Sequence, residues 1–483
     1  MSNPTTRILE HFEQINSFPR CSKNEARLCQ WLQQWAQERH LAYRCDGAGN
    51  LVVLAPPSPG YEGAPIVVLQ GHLDMVCEKT PDSPHDFNKD PIVSHLEGEW
   101  LTAQGTTLGA DNGIAVAYMM ALAEGFGPAH PALELLFTVD EETGLNGAKS
   151  LGADFIRGRL LINLDSEDEG VFTIGCAGGV DTHLVLDGAL ETVPDDAAIY
   201  KIVVGGLKGG HSGIDIHKHR GNANKILART LAHISSKSAL GLMMLSGGSR
   251  KNAIPRDAQA LFWVDAAAKS LIDDATRQMA AIIKMELAAN AEDFFIRASS
   301  APDAAEDRKA FSPRDTEQAI AVLQALPDGV ARMSAQMKDL VETSSNLATM
   351  EMVGNRLCIV NSQRSSTMSR LNEITAAIHS IGRLAGAHIQ DKEAYTAWQP
   401  AMDSELLKQC QDVYRRLYDR EAVIQVIHAG LECAIIGDIY PQMDMISLGP
   451  TLRNAHSPDE RLHIPSITKV WDFLVELLAR MKS

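Results

Sequence analysis

The sequence predicts an α/β protein of two domains, one of which is interrupted in the chain. The chain has 483 residues, and this length favours about two to three domains. Short apolar runs alternate with segments of helical spacing at the start of the chain, and the alternation returns near its end. These features predict a discontinuous first domain over 1–182 and 404–483, with a mixed sheet flanked by helices, and an inserted α+β domain over 183–403.

The elements of the first domain follow from two periodicities. Apolar residues recurring every three or four positions predict helices at 7–15, 25–40, 112–123 and 470–481. A further helix runs through Tyr418, and Asp403 or Ser404 is expected to cap its start. Short runs rich in β-branched residues predict buried strands at 50–54, 65–69, 133–139, 160–164, 423–427 and 445–448.

The inserted domain is predicted from two sets of strand and helix. The first set has a strand at 200–204 and helices at 221–234 and 270–289, and the second has a strand at 346–359 and a helix at 371–384. Two such sets predict two similar halves, although no residue-level identity between them is visible.

Composition excludes several classes of partner. The net charge of −17 argues against nucleic acid, because phosphate binding needs clustered Lys and Arg. No apolar stretch approaches the roughly 20 residues that span a bilayer, so no membrane partner is expected. The first eight residues lack the pattern of a signal peptide, and the eight cysteines lack a C-x-x-C pair. A cytoplasmic protein with free thiols is the expectation.

Five short motifs supply acidic or histidine side chains. They are Gly71-His72-Leu73-Asp74, Gly109-Ala110-Asp111-Asn112-Gly113, Asp140-Glu141-Glu142-Thr143-Gly144, Asn163-Leu164-Asp165 and Asn454-Ala455-His456-Ser457. Two imidazoles and three carboxylates are enough to bind two divalent cations that share one carboxylate, a set suited to activating water. His72, Glu141 and Asp165 each come at the end of a predicted strand, where open α/β sheets gather their ligands.

Other catalytic signatures are absent from the sequence. The glycine pairs at 205–206 and 209–210 lack the strand-to-helix context of a dinucleotide fingerprint. No phosphate-binding G-x-x-x-x-G-K-[ST] loop occurs, and no G-x-S-x-G lies beside a plausible triad. The sequence therefore argues against a nicotinamide-dependent enzyme and against a serine hydrolase.

Eight phrases, in a common order, resemble the co-catalytic zinc metallopeptidase family that includes carnosinases, glutamate carboxypeptidases and aminoacylases. They are GHLDMVCEK, GADNGIAVAY, FTVDEETGLNGA, LINLDSEDEG, KGGHSGIDIHKHRGNAN, NAIPR, HAGLE and GPTLRNAHSPDE. The resemblance runs over nearly the whole chain. It implies that the first domain is a zinc-exopeptidase-like catalytic domain and that the insert is a lid and dimerisation domain.

The resemblance also implies the metal ligands. His72 and Asp165 are expected on one ion, Glu142 and His456 on the other, and Asp111 between both. The implied cofactors are two Zn²⁺ per subunit, with Mn²⁺ or Co²⁺ as possible substitutes.

Three further residues are expected to act in catalysis. Asp74 is two positions after His72, and in an extended backbone both side chains share a face, so Asp74 can accept a hydrogen bond from the imidazole. The resemblance makes Glu141 the general base, which takes a proton from water and delivers it to the leaving amine. It makes His211 a lid residue that donates to the oxyanion, in its own chain or in a neighbouring one.

The substrate contacts implied by the resemblance lie mainly in the insert. Asn252 and Arg364 are expected lid contacts, and the Arg364 guanidinium can grip the C-terminal carboxylate of a dipeptide. Arg370 is a rival for that role. Gly430 and Glu432 are expected to line the pocket.

The implied activity is metal-dependent hydrolysis of unblocked dipeptides, preferentially those with a C-terminal histidine such as β-alanyl-histidine. An N-acyl amino acid deacylase or a carboxypeptidase of the same family is the alternative. A non-catalytic metal-binding scaffold is more distant, because it should lack the base and Glu141 is present. A homodimer is expected, although the long insert could instead mimic a dimer within one chain.

Overall fold

The computed structural model describes residues 3–302, 308–335 and 337–482, apart from the side chain of Lys269. The chain divides into two compact units. The first unit comprises Met1–Cys176, Trp398–Val426 and Leu431–Ser483, and the second comprises Ala177–Ala397 and Ile427–Gly430. The sequence placed the boundaries slightly later, after residues 182 and 403. The first difference arises because the strand Gly178–Asp187 pairs within the sheet of the second unit, and the second because Trp398 pairs with Cys176 of the first unit.

Eleven α-helices lie within the described residues. In chain order they are α1 Pro4–Asn16, α2 Ala26–Glu38, α3 Ala110–Ala123, α4 Asn146–Lys149, α5 Ala223–Ser235, α6 Lys269–Leu287, α7 Pro313–Ala325, α8 Met368–Leu384, α9 Glu405–Tyr418, α10 Glu432–Ile439 and α11 Ile464–Arg480. Several begin at side-chain caps. Asn3 accepts a hydrogen bond from the N–H of Thr5 at the start of α1, and Ser404 accepts one from Leu407 in α9. Of the two residues predicted to cap α9, Ser404 is the cap.

The strands of the described residues number twenty-five. In chain order they are β1 Ala42–Cys45, β2 Leu51–Ala55, β3 Val67–His72, β4 Ser94–Glu97, β5 Trp100–Ala103, β6 Leu133–Thr138, β7 Leu160–Asn163, β8 Val171–Cys176, β9 Gly178–Asp187, β10 Leu190–Thr192, β11 Ala198–Gly205, β12 Gly210–His211, β13 Leu240–Gly247, β14 Ala253–Ile254, β15 Ala258–Val264, β16 Phe295–Ser300, β17 Lys309–Phe311, β18 Gly329–Met333, β19 Val341–Val353, β20 Arg356–Ser365, β21 His388–Tyr395, β22 Val423–Ile427, β23 Asp444–Ser447, β24 Leu452–Arg453 and β25 Arg461–His463.

The main sheet of the first unit has eight strands in the order β1-β2-β6-β3-β7-β23-β8-β22. Its centre is parallel, since β3 pairs with β6 and β7, and β7 pairs with β23. Every residue of β3 and β6 is buried, as expected for strands covered on both faces. The prediction of an α/β fold with a mixed sheet is confirmed.

Helix α3 lies in the core of the first unit. Every residue from Ile114 to Leu122 is buried. A helix that is apolar on all sides is stable only inside a protein, because no face of it can meet water favourably. It packs against α1 and β3, and Asp111 near its start lies beside His72, the last residue of β3.

The second unit is built on a sheet in the order β16-β11-β15-β13-β19-β20-β9-β21, with β18 paired to β19. Leu227 of α5, Ile272 of α6, Leu323 of α7 and Ile378 of α8 join one buried cluster with residues of this sheet. Strands β13 and β19 pair at only two residue pairs. This junction divides the order into β16-β11-β15-β13 and β19-β20-β9-β21. The two similar halves remain a prediction.

One predicted strand proved to be a hairpin. The run at 346–359 spans parts of β19 and β20, which pair antiparallel. Gly354 has φ +60° in the turn between them. A tight hairpin turn needs such left-handed backbone, which glycine adopts at little cost.

The prediction of free thiols is wrong for Cys21 and Cys77, which form a disulfide. Their Cα atoms lie 5.7 Å apart, and they are 56 positions apart in the sequence. The N–H of Met75 donates to the carbonyl of Arg20 at 3.1 Å, which places the two segments side by side. The other six cysteines, all within the described residues, are free.

Among the described residues, no helix has both the length and the apolar character that crossing a bilayer requires.

Candidate metal centre

The predicted ligands collect at the carboxyl edge of the parallel strands. His72 is the last residue of β3 and stands opposite Thr138, the last residue of β6. Asn163, the last residue of β7, stands opposite Gln70 of β3. Because the three strands are parallel and in register, the segments that follow β6 and β7 leave the sheet at the same edge as His72.

Asp111 is at the centre of the cluster. Its Oδ1 lies 3.1 Å from Nε2 of His72, and its Oδ2 lies 3.1 Å from Nε2 of His456. Each imidazole faces a second carboxylate. Nε2 of His72 is 3.4 Å from Oδ1 of Asp165, and Nε2 of His456 is 3.0 Å from Oε1 of Glu142. The two oxygens of one carboxylate therefore face two separate groups of donors.

Asp74 contacts both His72 and the loop that follows β6. Its Oδ1 lies 3.3 Å from Nδ1 of His72, and its backbone carbonyl lies 3.1 Å from the same nitrogen. Its two carboxylate oxygens also accept hydrogen bonds from the N–H groups of Glu141 and Glu142, at 3.0 and 3.2 Å. Ser22 donates a further bond at 2.8 Å. Asp74 thus joins the imidazole to the segment that carries both glutamates.

The backbone around Asp111 is irregular where α3 begins. Gly109 has φ +73°, and the Asp111–Asn112 peptide bond is cis. Asn112 donates from its side-chain amide to the carbonyl of Leu164 at 3.0 Å, one residue before Asp165. This bond connects the start of α3 to the segment after β7, and so relates two of the predicted ligands.

His456 is presented by a tight loop. Asn454 and His456 both have left-handed backbone, with φ +58° and +63°. Non-glycine residues adopt this conformation at a cost, which the surrounding contacts must offset. The hydroxyl of Ser457 donates to the carbonyl of Asn454 at 2.9 Å, and the N–H of Glu460 donates to the carbonyl of Ser457 at 3.0 Å. The loop is therefore held by its own hydrogen bonds.

The cluster has an excess of negative charge. Burial raises the pKa of Asp165 to about 6, and burial also raises the pKa of Glu141 well above its ordinary value. The carboxylates of Asp111 and Glu142 raise the pKa of His456 to about 11. Burial alone would lower the pKa of His72, but Asp165 and Asp111 raise it well above its ordinary value. These carboxylates require positive charge between them, which protonated imidazoles or divalent cations can supply.

The donor set fits divalent cations. Three groups of residues each bring their donor atoms within 4.8 Å of one another. They are His72 with Asp111 and Asp165, Asp111 with Glu142 and His456, and His72 with Glu141 and Glu142. Oε1 of Glu142 is buried, and no described residue gives it a hydrogen bond of acceptable geometry. A buried carboxylate oxygen that lacks a hydrogen bond but lies beside an imidazole nitrogen is suited to a shared cation.

The second unit carries His211 in a short hairpin. His211 of β12 pairs with Ala253 of β14. Nδ1 of His211 accepts hydrogen bonds from the N–H groups of Gly213 and Ile214, both at 3.1 Å. The carbonyl of Asn252 accepts from the N–H of Ser212 at 2.9 Å, and Asn252 is exposed. The structure thus brings together two of the predicted lid residues.

The two rival arginines have different surroundings. Arg364 lies on β20, half-buried, and donates from one terminal nitrogen to the hydroxyl of Tyr395 at 2.8 Å. Its Nε is buried without a hydrogen-bond partner among the described residues. Arg370 is exposed and pairs with Glu373 at 2.7 Å on the same helix. Arg364 therefore has a half-buried guanidinium bonded to a neutral hydroxyl, whereas Arg370 belongs to a surface ion pair.

Gly430 and Glu432, although neighbours in the chain, fall in different units. Glu432 is completely buried, and its Oε2 accepts hydrogen bonds from Gln70 and Thr138 at 2.6 and 2.7 Å. Burial raises the pKa of Glu432 to about 7. A fully enclosed side chain has no surface to offer a substrate, so the prediction that it lines the pocket does not suit its position. Gly430 is half-buried.

Two buried charges near the ligands were not predicted. Glu460 and Arg20 both contact the backbone just before Asp111. Glu460 was visible in the phrase GPTLRNAHSPDE, four residues after His456, but nothing in the sequence distinguished it from a solvated acid. Arg20 lies outside every motif.

The first unit collects His72, His456 and several carboxylates near the carboxyl edge of its parallel strands, an arrangement typical of a metal-dependent hydrolase. The chain belongs to peptidase family M20/M25/M40, whose model matches residues 68–480. Members of this family use divalent metal ions, and the cluster around Asp111 contains the candidate ligands.

Two relatives are similar over almost their full lengths. The cytosol non-specific dipeptidase of Escherichia coli (strain K12) is 40% identical over 467 residues, covering 97% of this chain and 96% of its own. The crystal structure of aminoacylhistidine dipeptidase from Vibrio alginolyticus matches with a TM-score of 0.89 and 39% identity, covering 99% of this chain and 98% of its own. Aminopeptidase PepT from Bacillus cereus ATCC 10987 shares the fold alone, with a TM-score of 0.58 and 15% identity over 99% of each chain.

Proposed function

We propose that this chain hydrolyses unblocked dipeptides, preferentially those with a C-terminal histidine such as β-alanyl-histidine, and that it does so with two Zn²⁺ per subunit. The observation that carries the proposal is the position of Asp111, whose two oxygens face two groups of imidazole and carboxylate donors. The names of the relatives from Escherichia coli and Vibrio alginolyticus support a dipeptide substrate, and the second supports histidine in it.

The five metal ligands divide into two sets that share Asp111. His72 and Asp165 would complete one set, and Glu142 and His456 would complete the other. Bound zinc would polarise a water molecule and the scissile carbonyl. Imidazole nitrogen and carboxylate oxygen suit Zn²⁺, and they also accept Mn²⁺ or Co²⁺.

Glu141 is the proposed general base. It is adjacent to Glu142, yet successive side chains cannot project identically, so one can bind metal while the other faces the substrate. Glu141 would take a proton from water and then deliver that proton to the departing amine.

Asp74 is proposed to orient both the first ligand and the base. Its contact with Nδ1 of His72 leaves Nε2 of that ring facing Asp111. Its hydrogen bonds to the N–H groups of Glu141 and Glu142 hold these residues relative to His72. A single buried carboxylate would therefore position a ligand and the general base together.

His211 is proposed to donate a hydrogen bond to the developing oxyanion. Because Nδ1 accepts two backbone N–H bonds, the proton of the neutral ring is on Nε2. That tautomer makes Nε2 a donor, which is what an oxyanion requires. The backbone thus prepares His211 for this role.

Arg364 is the better candidate for the C-terminal carboxylate of the substrate. Its half-buried guanidinium donates from one terminal nitrogen to the neutral hydroxyl of Tyr395, whereas Arg370 is already paired with the Glu373 carboxylate. We retain Asn252 and Gly430 as proposed substrate contacts from the resemblance. The half-buried position of Arg364 strengthens a charged hydrogen bond relative to one in open solvent.

We also propose a cytoplasmic location and a homodimer. The name of the Escherichia coli relative supports the location, and the family resemblance supports the dimer. Light scattering of the purified protein should give twice the mass of one chain, and a strict monomer would contradict the dimer.

The activity is tested by elemental analysis of the purified protein together with hydrolysis of β-alanyl-histidine before and after chelation. We expect zinc in the protein, release of histidine, loss of turnover on chelation and recovery when Zn²⁺ is returned. Zinc-loaded protein that releases no amino acid from any dipeptide would refute the proposal. Faster hydrolysis of N-acetylated amino acids than of free dipeptides would favour the deacylase instead.

A further inference from the structure

Glu460 is a buried carboxylate whose acceptors are used entirely by backbone. Glu460 is only 2% exposed. Four consecutive N–H groups donate to it: those of Leu108 and Gly109 to Oε2 at 2.8 and 2.9 Å, and those of Ala110 and Asp111 to Oε1 at 2.8 and 3.1 Å. The last of the four belongs to the residue whose carboxylate is central to the metal cluster.

These N–H groups need an acceptor from elsewhere in the protein. They lie just ahead of the regular turns of α3, because Asp111 and Asn112 have non-helical φ and ψ, so a regular helical ladder does not supply their acceptors. The N-cap residue is Gly109, which has no side chain to cap the helix. Glu460, about 350 positions away, supplies the missing acceptors, and four N–H groups aimed at one carboxylate favour its negative charge.

Arg20 binds a backbone carbonyl of the same segment, whereas Glu460 binds its N–H groups. Its guanidinium donates to the carbonyl of Gly109 and, at 3.1 Å, to the carbonyls of Leu73 and Asp74. The residue is 1% exposed. At Gly109, therefore, Glu460 takes the N–H and Arg20 takes the C=O, so both polar groups of one residue are bound by buried charges. The backbone that leads into Asp111 has little freedom to shift.

Glu460 also belongs to the loop that presents His456. The N–H of Glu460 donates to the carbonyl of Ser457, and the N–H of Asp459 donates to the hydroxyl of Ser457 at 3.2 Å. The Glu460 carboxylate and the His456 imidazole thus both belong to one short loop that is held by its own hydrogen bonds. A displacement of Glu460 would move both the backbone of Asp111 and the loop of His456.

We propose that Glu460 is a positioning residue that sets the separation of Asp111 and His456 before metal binds. The inference rests on the proposed function, because it assigns Glu460 a purpose in the metal centre of that enzyme. The carboxylate of Glu460 is hydrogen-bonded to backbone N–H groups and not to the side-chain donor atoms of the proposed ligands among the described residues. Its effect is to fix, through the four N–H groups, where the shared carboxylate stands relative to an imidazole on another segment.

The test compares Glu460→Gln with a matched control, Glu134→Gln. Glu134 is 3% exposed and accepts N–H bonds from Arg157 and Gly158 at 2.7 and 2.9 Å. It lies near the start of β6, at the opposite end of that strand from the ligands. In Glu460→Gln the new amide points its hydrogens at backbone donors, and in Glu134→Gln it either does the same or faces Arg44, which donates to Oε1 at 3.2 Å, so both variants should lose stability.

Only Glu460→Gln is expected to lose metal affinity. Competition with a chelator for Zn²⁺ should show a dissociation constant raised by about 10- to 100-fold for Glu460→Gln and changed by less than about 2-fold for Glu134→Gln. The absorption spectrum of the Co²⁺-loaded protein should change in the first variant and not in the second. Equal affinity in the two folded variants would overturn the proposal.

A second measurement needs no variant. If the segment is set before metal binds, the amide hydrogens of residues 108–111 should exchange slowly in metal-stripped wild-type protein, and metal should add little protection. Fast exchange that becomes slow only with Zn²⁺ would overturn the proposal even if Glu460→Gln failed to fold. Both measurements are made without substrate, so wild-type protein that bound Zn²⁺ but cleaved no dipeptide would refute the proposed function alone.

Discussion

Nε2 of His456 lies 3.1 Å from Oδ2 of Asp111, although the two residues are 345 positions apart in the sequence. The other oxygen of Asp111 lies 3.1 Å from Nε2 of His72. One carboxylate therefore connects an imidazole near the start of the chain to one near its end. These donors come together because the C-terminal segment belongs to the same compact unit as β3 and α3.

The adjacent glutamates should have separable effects. Glu141→Gln removes the proposed base and is expected to lower kcat by about 10²- to 10⁴-fold while the protein keeps its metal. Glu142→Gln removes an oxygen that lies 3.0 Å from His456 and is expected to lower metal content. Steady-state kinetics and elemental analysis of both variants check this. Loss of metal from Glu141→Gln with full metal in Glu142→Gln would reverse the assignment.

Divalent metal should stabilise the folded protein. A ligand that binds only the native state adds about 2.7 kcal/mol to the free energy of unfolding at 100 times its dissociation constant. Titration of metal-stripped protein with Zn²⁺, Mn²⁺ or Co²⁺ should therefore raise Tm progressively, as differential scanning fluorimetry would show. His456→Ala should show a smaller rise, since one set of ligands loses its imidazole. A Tm that is indifferent to all three metals would contradict the site.

The two arginines provide a matched pair for substrate binding. Arg364→Ala should raise KM for a dipeptide by about 10- to 100-fold, since a hydrogen bond to a charged group contributes about 1.5–3 kcal/mol. Arg370→Ala should leave KM unchanged because that side chain is exposed and pairs with Glu373. The penalty in Arg364→Ala should shrink for a dipeptide amide, which lacks the carboxylate. A raised KM in Arg370→Ala alone would transfer the role to the rival.

The contacts of Glu124, at the other end of α3 from Asp111, predict a pH-dependent contribution to the free energy of unfolding. It accepts hydrogen bonds from Arg7 and Arg39 at 2.8 Å and contacts His11 at 3.0 Å. Burial alone would raise the pKa of Glu124, but His11, Arg7 and Trp35 lower it to about 2. Since the folded pKa is below the unfolded value, the contribution is complete above the unfolded pKa and is lost as pH falls towards 2.

Glu124→Gln should therefore lower the free energy of unfolding by about 2 kcal/mol at pH 7, and the difference from wild type should shrink below about pH 4.5. Urea unfolding at a series of pH values measures that difference. Glu10→Gln is the control, because Glu10 pairs with the same Arg7 at 2.9 Å but is exposed. Its effect should stay within about 1 kcal/mol. A constant difference across the pH series would show that charge at Glu124 is not the cause.

The sequence was sufficient to predict the elements that carry the ligands. Buried strands have a strong pattern of apolar residues, and β3, β6 and β7 were each predicted within a few residues of their observed bounds. One imidazole and several carboxylates at the ends of those strands, with Asp111 and His456 in motifs elsewhere, predicted a metal site because few other side chains bind such ions. The type of residue and its place along the chain contained this information.

Only the tertiary structure could decide which backbone groups the buried charges bind. Glu460 and Arg20 bind backbone N–H and C=O groups of residues 108–111. Every residue type except proline has both groups, so the residue types of that segment do not predict these contacts. The same holds for the disulfide between Cys21 and Cys77 and for the complete burial of Glu432, which depend on distant segments meeting. Local sequence determines what a side chain can do chemically, whereas its neighbours across the fold determine what it contacts.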